Sequence, residues 1–278
     1  MKIYVLGHTG MLGRYVYTYF KSKGYDVIGF NRNNIDISKS DYSESALRSV
    51  LFHKGIKKGD VIINCMGTIK PMVDKYGTLN AIKVNSLFPH LLSGACEKEG
   101  YKMIHITTDC VFSGKKGMYN EDDLHDCTDV YGKTKSLGEP TNCTVVRTSI
   151  IGEEVNQTRS LTEWIKSMKD KTANGFINHN WNGLTCLQLA KVFENIINKD
   201  AYWLGVRHVP SPNTITKNEL IKIISDIYDL NITLNKVEDK NPIDRTMTSK
   251  YDLGFNLPTI QEQIQEMKDF YPNLIKNT

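Results

Sequence analysis

The sequence predicts an α/β fold built on a doubly wound parallel sheet, with a smaller and irregular C-terminal part. Short runs rich in β-branched residues alternate with segments of helical period through the first half of the chain, which is typical of βαβ units. A glycine-rich loop also follows the first predicted strand and leads directly into a helix. We therefore assign residues 1–150 to a sheet domain, to which later segments return, and residues 151–278 mainly to a second α/β part.

Each element of the sheet domain follows from a local pattern. Apolar, β-branched runs predict strands at residues 2–6, 26–30, 61–65, 103–107 and 144–147. Helices are predicted at residues 11–21, where apolar side chains form one stripe, at 44–53 behind a cap at Ser43, and at 79–98. The last of these is long enough to cross the sheet.

The pattern becomes less regular after about residue 150. Helices are predicted near residues 160–169, 187–198, 216–228 and 260–271, and strands at 205–209 and 232–237. Thr216 and Glu219 have the spacing of a capping box, which fixes the start of the third of these helices.

Composition excludes several classes of protein. The hydrophobic fraction of 40% and charged fraction of 24% suit a globular chain, and no apolar run approaches the roughly 20 residues of a membrane span. The net charge of +4 is dispersed among acids, so we expect neither a nucleic-acid nor a membrane partner. The six cysteines form no metal-binding spacing, and the N-terminus lacks a signal peptide. We expect free thiols, no metal site and a cytoplasmic location.

The loop after the first strand has the pattern G-x-x-G-x-x-G, formed by Gly7, Gly10 and Gly13. Glycines allow the backbone to turn tightly and approach a pyrophosphate, and the N-terminus of the following helix offers N–H groups to the anion. An ordinary β–α turn with spare glycines is the structural alternative. Because strand, loop and helix occur in this order, we predict a Rossmann-type dinucleotide site.

The residues after the second strand indicate which dinucleotide is bound. An acidic residue there suits NAD, whereas an arginine suits the 2′-phosphate of NADP. Arg32 follows the strand without a carboxylate at the strand end, so we predict NADP, and Asp36 a few residues later leaves NAD open. The third strand ends in small and apolar residues that could pass close to the adenine or its ribose. The cofactor candidates from these segments are Gly7, Thr9, Gly10, Met11, Leu12, Arg32, Asp36, Ile37, Cys65, Met66 and Gly67.

An ordered series of motifs resembles a known family. A strand ending in Thr108 is followed by Tyr131-Gly-Lys-Thr-Lys135, and this Tyr-x-x-x-Lys pattern behind a glycine loop resembles the extended short-chain dehydrogenase/reductase superfamily. Within it, the chain is similar to the dTDP-4-dehydrorhamnose reductases. The segments that carry the likeness are INCMGTIKPMVDK, TTDCVFSG, VYGKTKSLGE, VRTSIIG and, more loosely, WNGLTCLQLAKV.

The resemblance implies a catalytic group of three residues. Tyr131 would be the general acid, and Thr108 would bind the carbonyl oxygen, with neighbouring Thr107 as the competitor for that role. Lys135 would hold the nicotinamide ribose, and because a helix places residues i and i+4 on one face, its ammonium would also make Tyr131 easier to ionise. We read Lys133 as a solvated charge. The resemblance adds Asn85, Tyr131 and Lys135 to the cofactor candidates, although a structural role for Asn85 is nearly as well supported.

Substrate specificity is expected mainly from loops and from the second half of the chain. The candidates are Thr68, Lys70, Asp109, Phe112, Trp181, Asn182 and Arg245. Arg245 could pair with a nucleotide diphosphate. Trp181 could line the sugar pocket, although core packing is the favoured reading.

The resemblance implies an oxidoreductase of polysaccharide precursors. The predicted activity is NADPH-dependent reduction of the 4-keto group of a UDP- or dTDP-linked 4-keto-6-deoxy sugar, as in rhamnose biosynthesis. Two alternatives stay open: an NAD(P)-dependent sugar nucleotide epimerase or dehydratase, and a non-catalytic NADP-binding subunit like the regulatory subunit of methionine adenosyltransferase. A nucleotide sugar is the expected partner, and a homodimer is expected only by analogy.

Overall fold

A six-stranded parallel sheet lies at the centre of the molecule. The computed structural model describes residues 1–38 and 42–276. The sheet has the order β10-β5-β4-β3-β1-β2, and every neighbouring pair is parallel. Its strands are β1 (Ile3–Leu6), β2 (Val27–Phe30), β3 (Val61–Asn64), β4 (Lys102–Thr108), β5 (Thr144–Thr148) and β10 (Gly205–His208). The predicted α/β fold with a doubly wound parallel sheet is confirmed.

Helices cover both faces of this sheet. They are α1 (Met11–Ser22), α2 (Glu44–His53), α3 (Lys70–Tyr76), α4 (Thr78–Ala81), α5 (Phe88–Glu99), α6 (Val130–Ser136), α7 (Leu161–Ser167), α8 (Cys186–Asn198), α9 (Lys217–Ile227) and α10 (Ile260–Lys276). One buried apolar cluster joins the sheet to α1, α8 and the C-terminal end of α10, and a second joins it to α2 and α5. The later segments α8 and β10 therefore pack with the first 150 residues.

The helix α1 shows why the sequence pattern predicted the fold. Leu12, Tyr15, Val16 and Tyr19 recur at helical spacing, and all four are buried against the sheet and α8. Burial of one large apolar side chain contributes roughly 1.5–3 kcal/mol. The apolar stripe is thus sufficient to fix which face of α1 meets the sheet.

The C-terminal part contains three small sheets. The short strands are β6 (Ile150–Ile151), β7 (Thr172–Phe176), β8 (His179–Trp181), β9 (Leu184–Thr185), β11 (Ile215–Thr216), β12 (Thr233–Val237) and β13 (Ile243–Asp244). β8 lies between β11 and β13, while β12 pairs with β7 and β6 with β9. A separate apolar cluster from α7, α9 and the start of α10 packs beneath the β8 sheet.

The structure differs from the sequence prediction in one long helix and in several short elements. The helix predicted over residues 79–98 is interrupted by a π-helical segment, Ile82–Leu87, which connects α4 to α5. The short helix α3 and the strands β7 and β8 were not predicted, because seven or fewer residues give little periodicity and β7 contains Asn and Gly. The capping box at Thr216 is present as predicted.

Residues 1–38 and 42–276 contain neither a membrane-spanning helix nor a metal-binding cluster. None of their helices combines the length with the apolar character that a bilayer span requires. No group of three or more His, Cys, Asp or Glu side chains in this part of the chain is arranged to hold a metal ion. All six cysteines are free thiols.

Candidate active site

The glycine loop lies where the strand order of the main sheet reverses. β1 has β2 on one side and β3 on the other, so the loop after β1 opens at the position where doubly wound sheets bind ligands. Gly7 has a φ of 78°, and its carbonyl oxygen accepts a hydrogen bond from Gly10 N at 2.9 Å. A Cβ on Gly13 would lie 2.1 Å from the same carbonyl oxygen, so helix α1 can pack this closely on the loop only with glycine there.

The start of α1 has the properties that a pyrophosphate requires. Its N-cap is Gly10, and no side chain caps the helix. The N–H groups of the first turn and the positive end of the helix dipole are thus left for an anion. Thr9 is exposed and Met11 is half-buried, whereas the side chain of Leu12 lies in the core and leaves only its backbone for a ligand. These residues fit a dinucleotide.

The ends of β2 and β3 flank this loop. Arg32 is exposed in the turn after β2. Asp36 accepts hydrogen bonds from Ser38 N at 3.1 Å and from its hydroxyl at 2.5 Å, and Ile37 is buried in the core. A Cβ on Gly7 would lie 3.1 Å from Met66 Cγ and 3.4 Å from the carbonyl carbon of Cys65, so the third-strand segment touches the glycine loop.

The Thr108 hydroxyl lies near the Tyr131 phenol, and its hydrogen-bonding effect lowers the pKa of that phenol. Thr108 is the last residue of β4, and its hydroxyl also donates to Asp109 Oδ1 at 3.0 Å and accepts from Cys110 N at 3.2 Å. A Cβ on Gly132 would lie 2.4 Å from the carbonyl oxygen of Cys110, so a side chain there would push α6 away from this turn. The glycine next to Tyr131 therefore permits the contact.

Burial dominates the electrostatics of Tyr131 and Lys135. Burial raises the pKa of the Tyr131 phenol, and the Cys110 thiol raises it further. Lys135 Nζ donates to the carbonyl oxygen of Ile106 at 2.8 Å, and burial lowers the pKa of this lysine to about 8 although Glu139 opposes the shift. Burial therefore outweighs the other effects on Tyr131 in the protein without a ligand, and the expected effect of Lys135 stays a prediction. The phenol is held in its protonated form.

The neighbouring residues Thr107 and Lys133 are placed differently from Thr108 and Tyr131. Thr107 faces the other side of β4, where its hydroxyl is buried without a hydrogen-bond partner among the described residues. Lys133 is exposed on α6. Within the described part of the structure, neither side chain forms a hydrogen bond or an ion pair with Thr108 or Tyr131.

Asn85 connects two segments of the site. Its Oδ1 accepts from Thr68 N at 2.7 Å, and its Nδ2 donates to Thr68 O at 2.9 Å and to Thr134 Oγ1 at 3.2 Å. The side chain is buried in the π-helical segment. Its amide thus holds the loop after β3 against α6, which makes Asn85 a positioning residue and leaves its side chain no free group for a cofactor.

The structure contradicts the predicted substrate contacts of two residues. Phe112 is fully buried and stacks on Tyr119 with 4.2 Å between ring centroids, so its ring belongs to the core and has no surface for a substrate. Asn182 is also buried: its Nδ2 donates to Met247 O at 2.8 Å and its Oδ1 accepts from Met247 N at 3.0 Å. Both ends of its amide are thus bonded to the backbone of Met247.

Thr68, Lys70 and Trp181 contact other residues of the protein. Thr68 is buried and donates its hydroxyl to Asn80, while exposed Lys70 pairs with Asp129 at 3.6 Å, next to the start of α6. Trp181 is mostly in the core, as the sequence favoured, and its Nε1 donates to Ser149 Oγ at 2.9 Å.

Arg245 lies on the side of the site formed by the C-terminal part. Its Nε donates to Phe112 O at 2.9 Å, and its charge acts on the Cys110 thiol. The sequence analysis missed Lys217 at the start of α9, which is close enough to Asp109 and Cys110 for their charges to affect its pKa. Its only signal was its place beside the capping Thr216. The charges of Arg245 and Lys217 thus lie near the turn that follows Thr108.

Comparison with known proteins gives a consistent family match. The protein-family model described as RmlD substrate binding domain matches residues 1–226. The chain is 28% identical to the methionine adenosyltransferase 2 subunit beta of Danio rerio over 251 residues, which is 82% of this chain and 74% of that protein. It is 31% identical to the dTDP-4-dehydrorhamnose reductase of Mycolicibacterium smegmatis over 140 residues, which is 50% of this chain and 40% of that protein.

A solved structure shares the fold over nearly the whole chain. The dTDP-4-dehydrorhamnose reductase of Bacillus anthracis, crystallised in complex with NADP, matches with a TM-score of 0.80 and 17% sequence identity. The match covers 96% of this chain and 98% of that one. The agreement extends through the C-terminal part, beyond the residues that the family model matches.

Proposed function

The chain belongs to the RmlD substrate binding domain family, as its motifs predicted, and from that premise we propose that it is an NADPH-dependent reductase of a nucleotide-linked 4-keto-6-deoxy sugar. The proximity of the Thr108 hydroxyl to the Tyr131 phenol carries the proposal. Two hydroxyl groups at the carboxyl end of β4 form a two-point site for one carbonyl oxygen, and such donors stabilise the charge that develops during reduction. Relatives in this family include a reductase of this kind.

The cofactor site supports NADP. Gly7, Gly10 and Gly13 with the uncapped start of α1 would hold the pyrophosphate, and Arg32 would contact the 2′-phosphate. Lys135 would hold the nicotinamide ribose. When bound, NADPH supplies the hydride. The B. anthracis reductase that shares this fold binds NADP.

Tyr131 supplies the proton in the proposed reaction. Because burial raises the pKa of its phenol, the residue is protonated at neutral pH and can donate to the oxygen that becomes a hydroxyl. Thr108 orients the carbonyl by hydrogen bonding. The phenolate that remains lies on the same helix as the ammonium of Lys135, which offsets its charge, and it regains a proton from water.

The test is direct turnover. When the protein is mixed with NADPH and either a UDP- or a dTDP-linked 4-keto-6-deoxy sugar, the cofactor should be oxidised. The oxidation is measured as the loss of NADPH absorbance. Tyr131→Phe should lower kcat by about 10²–10⁴-fold, the usual contribution of a general acid, while its NADPH affinity stays unchanged. Lys133→Met, on the exposed side of the same helix, is the matched control. Failure of both ketosugars to oxidise NADPH would contradict the proposal.

A second function has a specific observation in its favour. The likeness to the zebrafish methionine adenosyltransferase subunit extends over 251 residues, against 140 for the M. smegmatis reductase. A non-catalytic role as an NADP-binding subunit is therefore the alternative. It predicts NADPH binding without consumption for every ketosugar, and unchanged binding behaviour in Tyr131→Phe.

A further inference from the structure

A small pocket lies at the edge of the main sheet, outside the candidate active site. It has a volume of about 160 Å³ and is lined by the end of α8, residues around the start of β10 and the segment 252–255. In a parallel sheet the end of a helix leads into the amino end of the next strand, whereas Thr108 ends β4 at the carboxyl edge. The described residues that line the pocket include none of the cofactor, catalytic or substrate candidates. The proposed reaction therefore gives this pocket no role.

One part of the pocket lining is apolar. Ile196 and Trp203 are buried, and Leu253 and Phe255 pack half-buried against the same core cluster. An apolar cavity of about 150 Å³ is large enough to take a benzene ring. The volume and the lining of this pocket thus suit one ring, and removing that ring from water would stabilise the complex.

Two aromatic rings contact the guanidinium of Arg207, which also lines the pocket. Its central carbon lies 4.8 Å from the centroid of the Trp203 ring and 4.5 Å from that of the Tyr251 ring. Trp203 is itself anchored, because its Nε1 donates to Val145 O at 3.4 Å. Cation–π contacts use the charge of a guanidinium and leave its N–H donors available for a planar anion. Arg207 is thus positioned without its donors being used.

The charges around the pocket favour an anion. Within residues 1–38 and 42–276, half-buried Arg207 forms neither a hydrogen bond nor an ion pair. The second cation, Lys199, donates to Gly254 O at 3.0 Å. Asp252, the acid among the described lining residues, accepts from Gly254 N at 2.8 Å. Two cations and one acid leave a net charge of +1, and the arginine lacks an anionic partner.

We propose that this pocket binds a small organic carboxylate that carries one apolar ring. The carboxylate pairs with the guanidinium of Arg207 through two parallel hydrogen bonds, a geometry that the planar fork of arginine matches. The ring of the ligand packs on the apolar residues beside Trp203. Inorganic phosphate has the charge without the ring, so it uses only part of the site. The assignment does not depend on the reductase activity.

Titration of the ¹⁵N-labelled full chain with benzoate, followed by NMR, tests this proposal. The chain contains three tryptophans, Trp164, Trp181 and Trp203, so the indole N–H signals report on the pocket separately from the rest of the molecule. We expect a saturable shift of the Trp203 signal with a Kd of about 0.1–1 mM, and no shift of the exposed Trp164. Benzyl alcohol has the ring without the charge, and acetate has the charge without the ring. Each should bind at least about tenfold more weakly.

Substitution of Arg207 separates its charge from its shape. Arg207→Gln removes the guanidinium and should weaken benzoate binding at least about tenfold, while the thermal unfolding temperature shows whether the variant is folded. Arg207→Lys returns the charge without the planar pair of donors and should recover only part of the affinity. Arg48→Gln is the matched control, because Arg48 lies on α2 in a partly exposed pair with Glu99. It should bind benzoate like wild type.

The comparison of ligands on wild type keeps the test decisive if Arg207→Gln does not fold. Equal affinity for benzoate and benzyl alcohol would refute the role of Arg207, because binding would then need no charge. Unchanged benzoate binding by folded Arg207→Gln would refute it as well. If benzoate at about ten times the expected Kd leaves the Trp203 signal unmoved, the pocket is not a carboxylate site.

Discussion

The carboxylate of Glu139 accepts two hydrogen bonds from the guanidinium of Arg147, from Nε at 3.0 Å and from Nη2 at 2.5 Å. The exposed fractions of the two side chains are only 6% and 2%. Glu139 lies four residues after Lys135 and raises the pKa of that lysine, while Arg147 is level with Thr107 in the sheet. The pair therefore joins the segment after helix α6 to β5 and places a negative charge near Lys135.

Arg147→Met should destabilise the protein strongly. The substitution leaves Glu139 as a buried carboxylate without its partner, which costs about 3–5 kcal/mol in the free energy of unfolding. The double variant Arg147→Met/Glu139→Gln removes the stranded charge and should recover part of that loss. Denaturant unfolding of both variants measures the difference.

An exposed pair provides the control for this cycle. Lys222 and Asp226 pair at 2.8 Å on α9 with more than half of each side chain exposed, so Lys222→Met should change stability by no more than about 0.5 kcal/mol. If Arg147→Met lowered the free energy of unfolding by no more than Lys222→Met does, the Glu139–Arg147 pair would not be required for stability.

Stability should fall as the pH is lowered below about 6.5, because two histidines accept hydrogen bonds from Arg147. His125 Nε2 and His208 Nε2 each lie 2.7 Å from a guanidinium nitrogen, and burial and then Arg147 lower the pKa of His208. Burial and Arg147 also lower the pKa of His125, against an opposing effect of Glu139. The unfolded chain thus binds more protons than the folded chain below the usual histidine pKa of 6.5, so acid favours unfolding.

Denaturant titrations between pH 7.5 and about 5 would measure this slope. The charge of Glu121 raises the pKa of His208 and so opposes the effect of burial and Arg147. Burial also lowers the pKa of His105, so a substitution at one histidine should remove only part of the dependence of stability on pH. His208→Gln keeps hydrogen-bonding groups but cannot take up a proton and should flatten the curve. His53→Gln, at an exposed site at the end of α2, should leave it unchanged. An identical slope in His208→Gln would contradict the assignment.

The main sheet could be predicted from the sequence because the patterns that specify its strands and helices each lie within a short stretch of the chain. The apolar stripe of α1, the cap at Ser43 and the capping box at Thr216 are all contained in short windows, and each element forms where its pattern begins. The motif residues Thr108 and Tyr131 were found in the same way, and their contact follows from the order of the strands and helices.

The remaining features depend on contacts between distant segments. Phe112 and Asn182 lie in segments whose sequence pattern predicted substrate contact. In the structure, however, Phe112 stacks on Tyr119 and the side chain of Asn182 is hydrogen-bonded to the backbone of Met247, so neither is available to a substrate. Lys217 joins the site only because β11 pairs with β8, 35 residues or so earlier in the chain. No local pattern reports such pairings.

Thr107 and Thr108 offer a matched pair for testing which hydroxyl serves the reaction. Thr108→Val removes the hydroxyl that meets Tyr131 and should lower kcat by about 10²-fold, the lower end of what one such donor contributes. Thr107→Val removes a buried hydroxyl that has no partner in the described chain, so stability should rise or stay unchanged and turnover should persist. NADPH oxidation and thermal unfolding of the two variants give the comparison. Loss of turnover in Thr107→Val alone would reverse the assignment.

Gly13 and Gly10 separate the packing of the glycine loop from its approach to a cofactor. Gly13→Ala would place a methyl group 2.1 Å from Gly7 O and 2.9 Å from His8 Cα, both backbone atoms, so α1 must shift and we expect a loss of at least about 1–3 kcal/mol in unfolding free energy. Gly10→Ala meets only Gly7 O at 3.4 Å with an ordinary φ of −78°, so its stability should be close to wild type. Weaker NADPH binding in Gly10→Ala, measured by cofactor fluorescence, would then reflect contact with the cofactor and not misfolding. Wild-type stability in Gly13→Ala would show that the close packing of loop and helix is not required.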